Sequence, residues 1–225
     1  MGYDALVTIR ESRLPDHLRA VLFDWDGTLV DSAQLSYRCY VTAFSAFGIG
    51  FSLEDYARTY SPDWHRTYEM MGVPRVRYDE ADARWIEAYG REATSLLPGA
   101  RQALEGIRQR GLLQGLVTSG DRGRVEREIS DLGVASFFTA LVCGGDVARR
   151  KPDPLPLVTA LRQLGIEASD AAYVGDSPED VQMARAAGVF TVGVPGGFPN
   201  REALEASEPD VFCETLAAVR LTLLG

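Results

Sequence analysis

Two aspartates stand one residue apart at the end of an apolar run, in the stretch AVLFDWDGT. Residues 20–23 predict a buried strand, and Asp24 and Asp26 follow that strand directly. Carboxylates carried toward a core need a cation, hydrogen bonds or a reaction that uses their charge, because an isolated buried carboxylate is costly. The stretch alone leaves open which of these three applies here.

Three further polar stretches lie near the ends of other apolar runs. Thr118 and Ser119 follow GLV, Asp176 and Asp180 lie in GDSPED after AAYV, and Lys151 precedes a proline. Open parallel sheets bind ligands just beyond the carboxyl ends of their strands, so we expect all these side chains at one site. Lys151 is also the one lysine of the chain, since the other 22 of its 23 basic residues are arginines.

The elements that must position these residues alternate between strands and helices from about residue 97 onward. Apolar runs such as LLQGLV and AAYVG alternate with helical patterns of ten to fifteen residues. This alternation predicts an α/β fold, a doubly wound parallel sheet with helices on both faces. Residues 32–96 break the alternation with aromatic, arginine and acidic residues at helical spacing and no clear strand. We therefore expect a core domain of residues 1–31 and 97–225 and a helical cap domain of residues 32–96, with an added edge strand at ALVTI near the N-terminus.

Composition narrows the classes of partner. The net charge of −9 argues against nucleic acid or an anionic membrane surface as the main partner. No run approaches the roughly 18 to 20 apolar residues that a membrane helix needs, and the N-terminus has no apolar segment typical of a signal peptide. The three cysteines are widely spaced, which indicates reduced thiols. We expect a cytoplasmic monomer or homodimer without a membrane or nucleic-acid partner.

The four stretches, in this order, resemble the motifs of the haloacid dehalogenase superfamily of phosphohydrolases. They correspond to DxDGT at residues 24–28, a Thr at residue 118, a Lys at residue 151 and GDxxxD at residues 175–180. The resemblance extends over the chain from Val21 onward. It implies a Rossmann-like core with a small helical cap, a Mg²⁺ cofactor, a small phosphorylated metabolite as substrate and an aspartyl-phosphate intermediate.

The resemblance also implies a role for each acid and for the lysine. Asp24 attacks phosphorus, and Asp26 protonates the leaving oxygen and later deprotonates water. Side chains of Asp24 and Asp176 ligate Mg²⁺ together with the backbone carbonyl of Asp26, and Asp180 ligates the ion or holds a water bound to it. Lys151 neutralises charge on Asp24 and on the phosphate.

Phosphate binding is expected from the loop residues of the same motifs. The hydroxyl of Thr118 and the loop that includes Ser119 bind the phosphate oxygens together with Lys151. Gly27 lets the backbone turn sharply, so that the two acids of the first motif point into one cavity.

Departures from the patterns of relatives narrow the reaction. Haloacid dehalogenases lack the second acid of the first motif, which is present here as Asp26. Phosphonoacetaldehyde hydrolases use a cap lysine, and residues 33–95 contain none. β-Phosphoglucomutases carry a histidine where this chain has Ser36. A phosphomonoesterase similar to phosphoglycolate phosphatase fits best. The alternatives are a pyrophosphatase or nucleotidase, then a mutase, then a non-catalytic phosphate-binding protein.

The cap is expected to select the substrate. The stretch RTYSPDWHRTY combines rings and cations suited to a small anion. Arg58, Arg66 and Trp64 are the predicted substrate contacts. A two-carbon acid, a sugar phosphate and a nucleotide all stay compatible with this pattern. Packing between cap helices is expected instead for Tyr40 and Trp85.

Overall fold

One mixed sheet forms the centre of the protein. The computed structural model describes residues 7–9, 14–15, 17–61 and 63–225. The strands are β1 (Val7–Ile9), β2 (Ala20–Phe23), β3 (Leu113–Val117), β4 (Ala140–Val142), β5 (Ala171–Gly175), β6 (Phe190–Gly193) and β7 (Val211–Cys213). Their order across the sheet is β1-β7-β6-β5-β2-β3-β4. All neighbours are parallel except β1, which pairs antiparallel with β7 at the edge.

Ten α-helices surround and extend this sheet in the part of the chain that is described. Four lie between β2 and β3 and precede residue 96: α1 (Ala33–Ser45), α2 (Leu53–Thr59), α3 (Trp64–Met70) and α4 (Tyr78–Tyr89). The others are α5 (Ala100–Gln109), α6 (Arg122–Asp131), α7 (Leu155–Leu164), α8 (Pro178–Ala186), α9 (Arg201–Ala206) and α10 (Leu216–Leu224).

Both faces of the sheet are covered by helices. Apolar side chains of α5, α6 and α10 pack on one face, and those of α7 and α8 pack on the other. Strand β2 shows the alternation clearly, because Val21 and Phe23 belong to the first core cluster whereas Ala20 and Leu22 belong to the second. All four side chains are fully buried. The predicted doubly wound α/β fold is therefore confirmed, and the central strand carries its two following acids to the edge of a closed core.

The four helices α1–α4 share an aromatic core of their own. Tyr40, Phe44 and Phe51 pack with Tyr56 and Tyr68 in one cluster. The chain enters and leaves this helical segment along two adjacent paths, which are joined by backbone hydrogen bonds from Asp31 to Ser95 and from Leu97 to Leu29, each 2.9 Å long. The division into a core domain and a cap domain at residues 32–96 stays a prediction.

Two elements at the margins differ from the sequence analysis. Strand β1 is the expected edge strand at residues 7–9, whereas Ala5 and Leu6 lie outside the described residues. Helix α9 was not expected, because six residues with a single buried apolar side chain, Leu204, give no readable period. Among the described helices, none combines the length and the apolar character that spanning a membrane requires.

Candidate active site

The predicted motif residues meet around one cavity of about 280 Å³. Asp24 follows β2, Thr118 follows β3 and Asp176 follows β5, so three neighbouring parallel strands deliver them to the same edge. Lys151 reaches the cavity from the loop before α7, and Asp180 from the first turn of α8. The structure therefore brings together the acids, the lysine and the threonine that the sequence singled out.

Lys151 forms the centre of a buried charge network. Its Nζ donates to Oδ1 of Asp24 at 2.6 Å and to Oδ1 of Asp180 at 2.7 Å. The ammonium also lies 5.4 Å from the centre of the Tyr173 ring. Both carboxylates raise the pKa of Lys151 against the opposing effect of burial, so the lysine keeps its charge. One buried cation thus serves two carboxylates.

The carboxylate of Asp180 has all of its acceptor positions occupied. Oδ1 accepts from Lys151 and from the Tyr173 hydroxyl, the latter at 3.0 Å. Oδ2 accepts from the Ser177 backbone N–H at 3.1 Å and from its hydroxyl at 2.7 Å. Ser177 in turn accepts from the Asp180 N–H, which completes a capping box at the start of α8. Asp180 therefore fixes both the helix start and the position of Lys151.

Asp176 differs from Asp180 because one of its buried oxygens has no partner. Oδ1 lies 3.5 Å from the Thr28 hydroxyl, whereas Oδ2 has no hydrogen-bond donor within the described chain. Carboxylate oxygens of Asp24, Asp176 and Asp180 all lie within 4.8 Å of one another. A buried carboxylate oxygen without a donor, beside two further carboxylates, fits the oxygen ligands that Mg²⁺ prefers.

The acidity of this group also indicates a missing positive charge. Burial raises the pKa of Asp24 to about 7; Lys151 opposes this rise and the Asp180 carboxylate adds to it. Burial together with the Asp24 and Asp180 carboxylates raises the pKa of Asp176 well above its usual range. Three buried carboxylates share a single lysine, so a divalent cation would restore the charge balance.

Gly27 makes the close approach of the first and fourth motifs sterically feasible. Its φ of +78° lies in the left-handed region, and an added Cβ would stand 2.5 Å from Oδ2 of Asp176 and 2.6 Å from the Phe198 ring. Any other residue would collide with the carboxylate that has an unpaired oxygen. The glycine therefore positions Asp176 as well as allowing the turn after Asp26.

The loop after β3 presents donors to the same cavity. Thr118 is buried, and its hydroxyl oxygen accepts from the Gly120 N–H at 3.0 Å. Thr118, Ser119 and Gly120 all line the cavity. A hydroxyl and a tight loop with backbone N–H groups beside Lys151 suit the binding of phosphate oxygens.

Asp26 pairs with Arg124, a residue that the sequence analysis missed. Arg124 of α6 donates to both of its carboxylate oxygens, and the Tyr89 hydroxyl lies 3.4 Å from Oδ1. Burial works to raise the pKa of Asp26, but pairing with Arg124 outweighs it and holds that pKa below the usual range. Asp26 is therefore kept ionised in this arrangement.

Arg124 is itself buried between two acids. It is 4% exposed, and it donates to Glu128 at 3.0 Å as well as to Asp26. Glu128 also accepts from the indole N–H of Trp25, at 2.8 Å. Arg124 and Glu128 stand four apart, the spacing of an exposed helix pair, and this hides their burial in the sequence. The one signal is their position beside the apolar pair Val125 and Ile129.

The helical segment closes the far side of the cavity with aromatic rings. Of the predicted substrate contacts, Trp64 lines the cavity, whereas Arg58 and Arg66 do not. Arg58 pairs with Asp55 at 2.8 Å on the surface, and Arg66 is exposed. Trp85 of α4 packs against Tyr40 of α1, as expected for a residue between cap helices, but its ring also lines the cavity. Tyr40 likewise serves both packing and the cavity wall.

A family model, curated relatives and a solved structure all relate this chain to the same group of hydrolases. A family model described as haloacid dehalogenase-like hydrolase matches residues 21–194. A phosphoglycolate phosphatase of Yersinia pseudotuberculosis is 30% identical, over 92% of this chain and 95% of that protein. A phosphoglycolate phosphatase of Escherichia coli K12 is 31% identical, over 89% and 90%. A solved structure from Lactobacillus plantarum has the same fold, with a TM-score of 0.84 at 23% identity over 91% of this chain and 99% of that one.

Proposed function

We propose that this chain, which belongs to the haloacid dehalogenase-like hydrolase family and is one of its phosphatases, is a Mg²⁺-dependent phosphomonoester hydrolase. The reaction passes through a phosphorylated Asp24. The observation that carries the proposal is the group of three buried carboxylates within 4.8 Å, held beside Lys151. Its substrate is a small phosphorylated metabolite. Its cytoplasmic location and its monomeric or dimeric state stay predictions of the sequence.

Asp24 is the proposed nucleophile. Lys151 binds Oδ1 and leaves Oδ2 without a hydrogen-bond donor among the described residues, so one oxygen is held while the other can reach phosphorus. The same ammonium offsets the repulsion between the attacking carboxylate and the phosphate. Attack forms a bond from the Asp24 oxygen to phosphorus and breaks the bond from phosphorus to the leaving oxygen.

Asp24 and Asp176 are the proposed side-chain ligands of Mg²⁺, with the backbone carbonyl of Asp26 expected as a third. Bound Mg²⁺ would neutralise phosphate charge and orient the ester for in-line attack. Asp180 supports this site through Lys151 and the cap of α8, because its oxygens are already bound by other donors. We expect Thr118 and the Ser119 loop to bind phosphate oxygens from their side of the cavity.

Asp26 is the proposed acid and base. Its side chain lines the cavity and is 25% exposed, so water and the leaving oxygen can both reach it. Pairing with Arg124 favours the ionised carboxylate, which suits the second half of the reaction, where Asp26 takes a proton from the attacking water. Donation of a proton to the leaving oxygen in the first half requires that Asp26 first part from Arg124 and take up a proton from water, since only the protonated carboxyl can donate one.

The test is phosphate release from a panel of esters, with Mg²⁺ and with the ion removed by a chelator. The panel contains phosphoglycolate, for which the curated relatives are named, with a sugar phosphate, a nucleoside monophosphate and pyrophosphate. Asp24→Asn should abolish release, and Asp131→Asn, an exposed aspartate at the end of α6, should leave it unchanged. Acid quenching during turnover should trap label from the phosphoryl group on the wild-type protein but not on Asp24→Asn.

Each alternative has its own outcome in this experiment. Release from pyrophosphate or nucleoside monophosphates alone would favour a pyrophosphatase or nucleotidase. Equal background from the wild type and Asp24→Asn with every ester would overturn the hydrolase proposal. Release that continues without any divalent cation would overturn the role of Mg²⁺ while leaving the nucleophile standing.

A further inference from the structure

Six aromatic rings form the wall of the cavity opposite the carboxylates. Five come from the helical segment and one from the loop after β6: Tyr40, Tyr60, Trp64, Tyr68, Trp85 and Phe198. Tyr60 and Phe198 stack at 4.7 Å between ring centres, which closes the wall between the segment and the sheet. Such a wall favours contact with a flat apolar group over contact with a small ion.

The charges in this wall also disfavour an anionic leaving group. The cavity-lining residues between 33 and 96 include no Lys, Arg or His within the described part, and they include one acid, Asp82. Asp82 accepts from the Trp64 indole N–H at 2.7 Å and lies 3.2 Å from Nε2 of His65. A carboxylate on the leaving group would thus meet rings and a like charge on this side.

The cations on the sheet side of the cavity are already engaged. Lys151 is bound by Asp24 and Asp180, and Arg124 is bound by Asp26 and Glu128. Arg150 forms no ion pair with any described residue, but its guanidinium lies over the Trp64 ring, 4.4 Å from the ring centre. This cation–π contact holds the guanidinium against the face of the Trp64 ring, so that Arg150 forms part of the aromatic wall.

We propose that the preferred substrate is the phosphate ester of an uncharged alcohol that carries an aromatic or heteroaromatic ring, and that this ring binds in the wall formed by Trp64, Trp85 and the stacked Tyr60. The inference rests on the proposed phosphatase function and narrows its substrate class. It departs from phosphoglycolate, the substrate in the names of the curated relatives.

Three esters with the same kind of primary alkoxide leaving group test this proposal. Ethyl phosphate is the reference, benzyl phosphate adds a ring, and phosphoglycolate adds a carboxylate. We expect kcat/KM for benzyl phosphate to exceed that for ethyl phosphate by about 10- to 100-fold, because burial of the ring is favourable. We expect phosphoglycolate to be about 10-fold poorer than ethyl phosphate, because its carboxylate loses water without gaining a partner.

Variants of Trp85 test whether the aromatic wall causes the preference for benzyl phosphate over ethyl phosphate. Trp85→Leu should lower the ratio of kcat/KM for benzyl phosphate to kcat/KM for ethyl phosphate by about fivefold or more. Trp85→Phe, which keeps an aromatic ring, should retain most of the wild-type ratio. Phe47→Leu is the matched control, because Phe47 packs on the same aromatic cluster but does not line the cavity. This control should keep the wild-type ratio.

The outcomes separate this inference from the function on which it rests. Equal kcat/KM for benzyl and ethyl phosphate, or a preference for phosphoglycolate, would overturn the inference while Mg²⁺-dependent release upholds the phosphatase. A preference for phosphoglycolate that Arg150→Gln removes would identify Arg150 as a carboxylate partner instead. No Mg²⁺-dependent release from any ester would overturn both.

Discussion

At the scale of single residues, the two aspartates of the fourth motif have different surroundings and should have different roles. We expect Asp176→Asn to raise the Mg²⁺ concentration for half-maximal activity by about 10- to 100-fold, because the unpaired oxygen is the one available to a cation. Asp180→Asn should leave that concentration nearly unchanged and lower kcat, because it loosens Lys151 and the cap of α8. Activity titrated with Mg²⁺ in both variants measures the difference.

The reverse result would contradict this division of roles. If Asp180→Asn shifts the Mg²⁺ requirement as strongly as Asp176→Asn does, Asp180 is a direct ligand whose present partners give way to the ion. Circular dichroism of both variants serves as the control for helix α8, since a lost capping box weakens the start of that helix.

A second prediction at this scale concerns Gly27, for which the chain offers a matched control. Gly27 and Gly48 have similar φ values, +78° and +71°, but a Cβ on Gly48 meets nothing within 4 Å. Gly48→Ala should therefore cost only the strain of the left-handed conformation, about 1 kcal/mol in the free energy of unfolding. Gly27→Ala should cost more and lower kcat/KM by about 10-fold or beyond, because Asp176 and Phe198 must move. Equal losses of stability and full activity in both variants would refute the steric argument.

The motif residues were predictable because the apolar runs that precede them in the sequence predict strands. Asp24, Thr118 and Asp176 each follow an apolar strand, and the parallel sheet places those strand ends together. Arg124 gave no such signal, because its partners Asp26 and Tyr89 lie 98 and 35 positions away. The functional roles of all these residues stay predictions until the variants above are measured.

At the scale of elements, helix α6 contributes a buried ion network to the site. We expect Arg124→Gln to lower the free energy of unfolding by about 3 kcal/mol, because the buried Glu128 and the partly buried Asp26 would then be like charges without a cation between them. Arg127→Gln, an exposed position on the same helix, should change it by about 0.5 kcal/mol or less. Urea unfolding measures the stability of both variants. Equal urea midpoints for the two variants would show that the ion network contributes nothing to stability.

The elements with a strong period were predicted well, and the short ones were not. Helices α5 and α6 keep apolar residues on one face, and strands β2 and β5 are continuous apolar runs, so their type follows from the sequence. Helix α9 has one buried side chain, Leu204, and its Arg201 pairs with Glu205 one turn along the helix and with Glu214 beyond it. The pair with Glu214 depends on the folded chain, and one buried apolar residue in six gives no local pattern.

At the scale of the whole molecule, the cavity exists because two distant parts of the chain face each other. The sheet supplies the charged half, and helices α3 and α4 supply the rings of Trp64 and Trp85. The sequence indicated aromatic residues in this segment but could not show which ones reach the cavity. Arg58 and Arg66, which the sequence analysis predicts as contacts for an anion, lie at the surface instead. We therefore expect selection of the substrate to depend on tertiary packing.

The charge balance of the site predicts how Mg²⁺ and pH together control stability. In the metal-free protein the pKa of Asp24 is raised to about 7 by burial, which Lys151 only partly offsets, from an ordinary value of 3.8. A carboxyl with a raised pKa in the folded state contributes stability below its unfolded pKa and loses that contribution as the pH rises through the folded value. The metal-free protein should therefore lose stability between about pH 4 and pH 7.

Mg²⁺ should reverse this loss, because it takes the place of the protons on the carboxylates. We expect Mg²⁺, at a concentration 100 times its dissociation constant, to raise the Tm of the protein by about 5 to 10 °C at pH 8. The increase should be much smaller at pH 5.5, where protons compete for Asp24 and Asp176. Thermal unfolding at both pH values, with KCl at matched ionic strength as the control, measures the effect. An equal increase at pH 5.5 and pH 8 would mean that the ion binds away from these carboxylates, and it would remove the physical basis for the metal site.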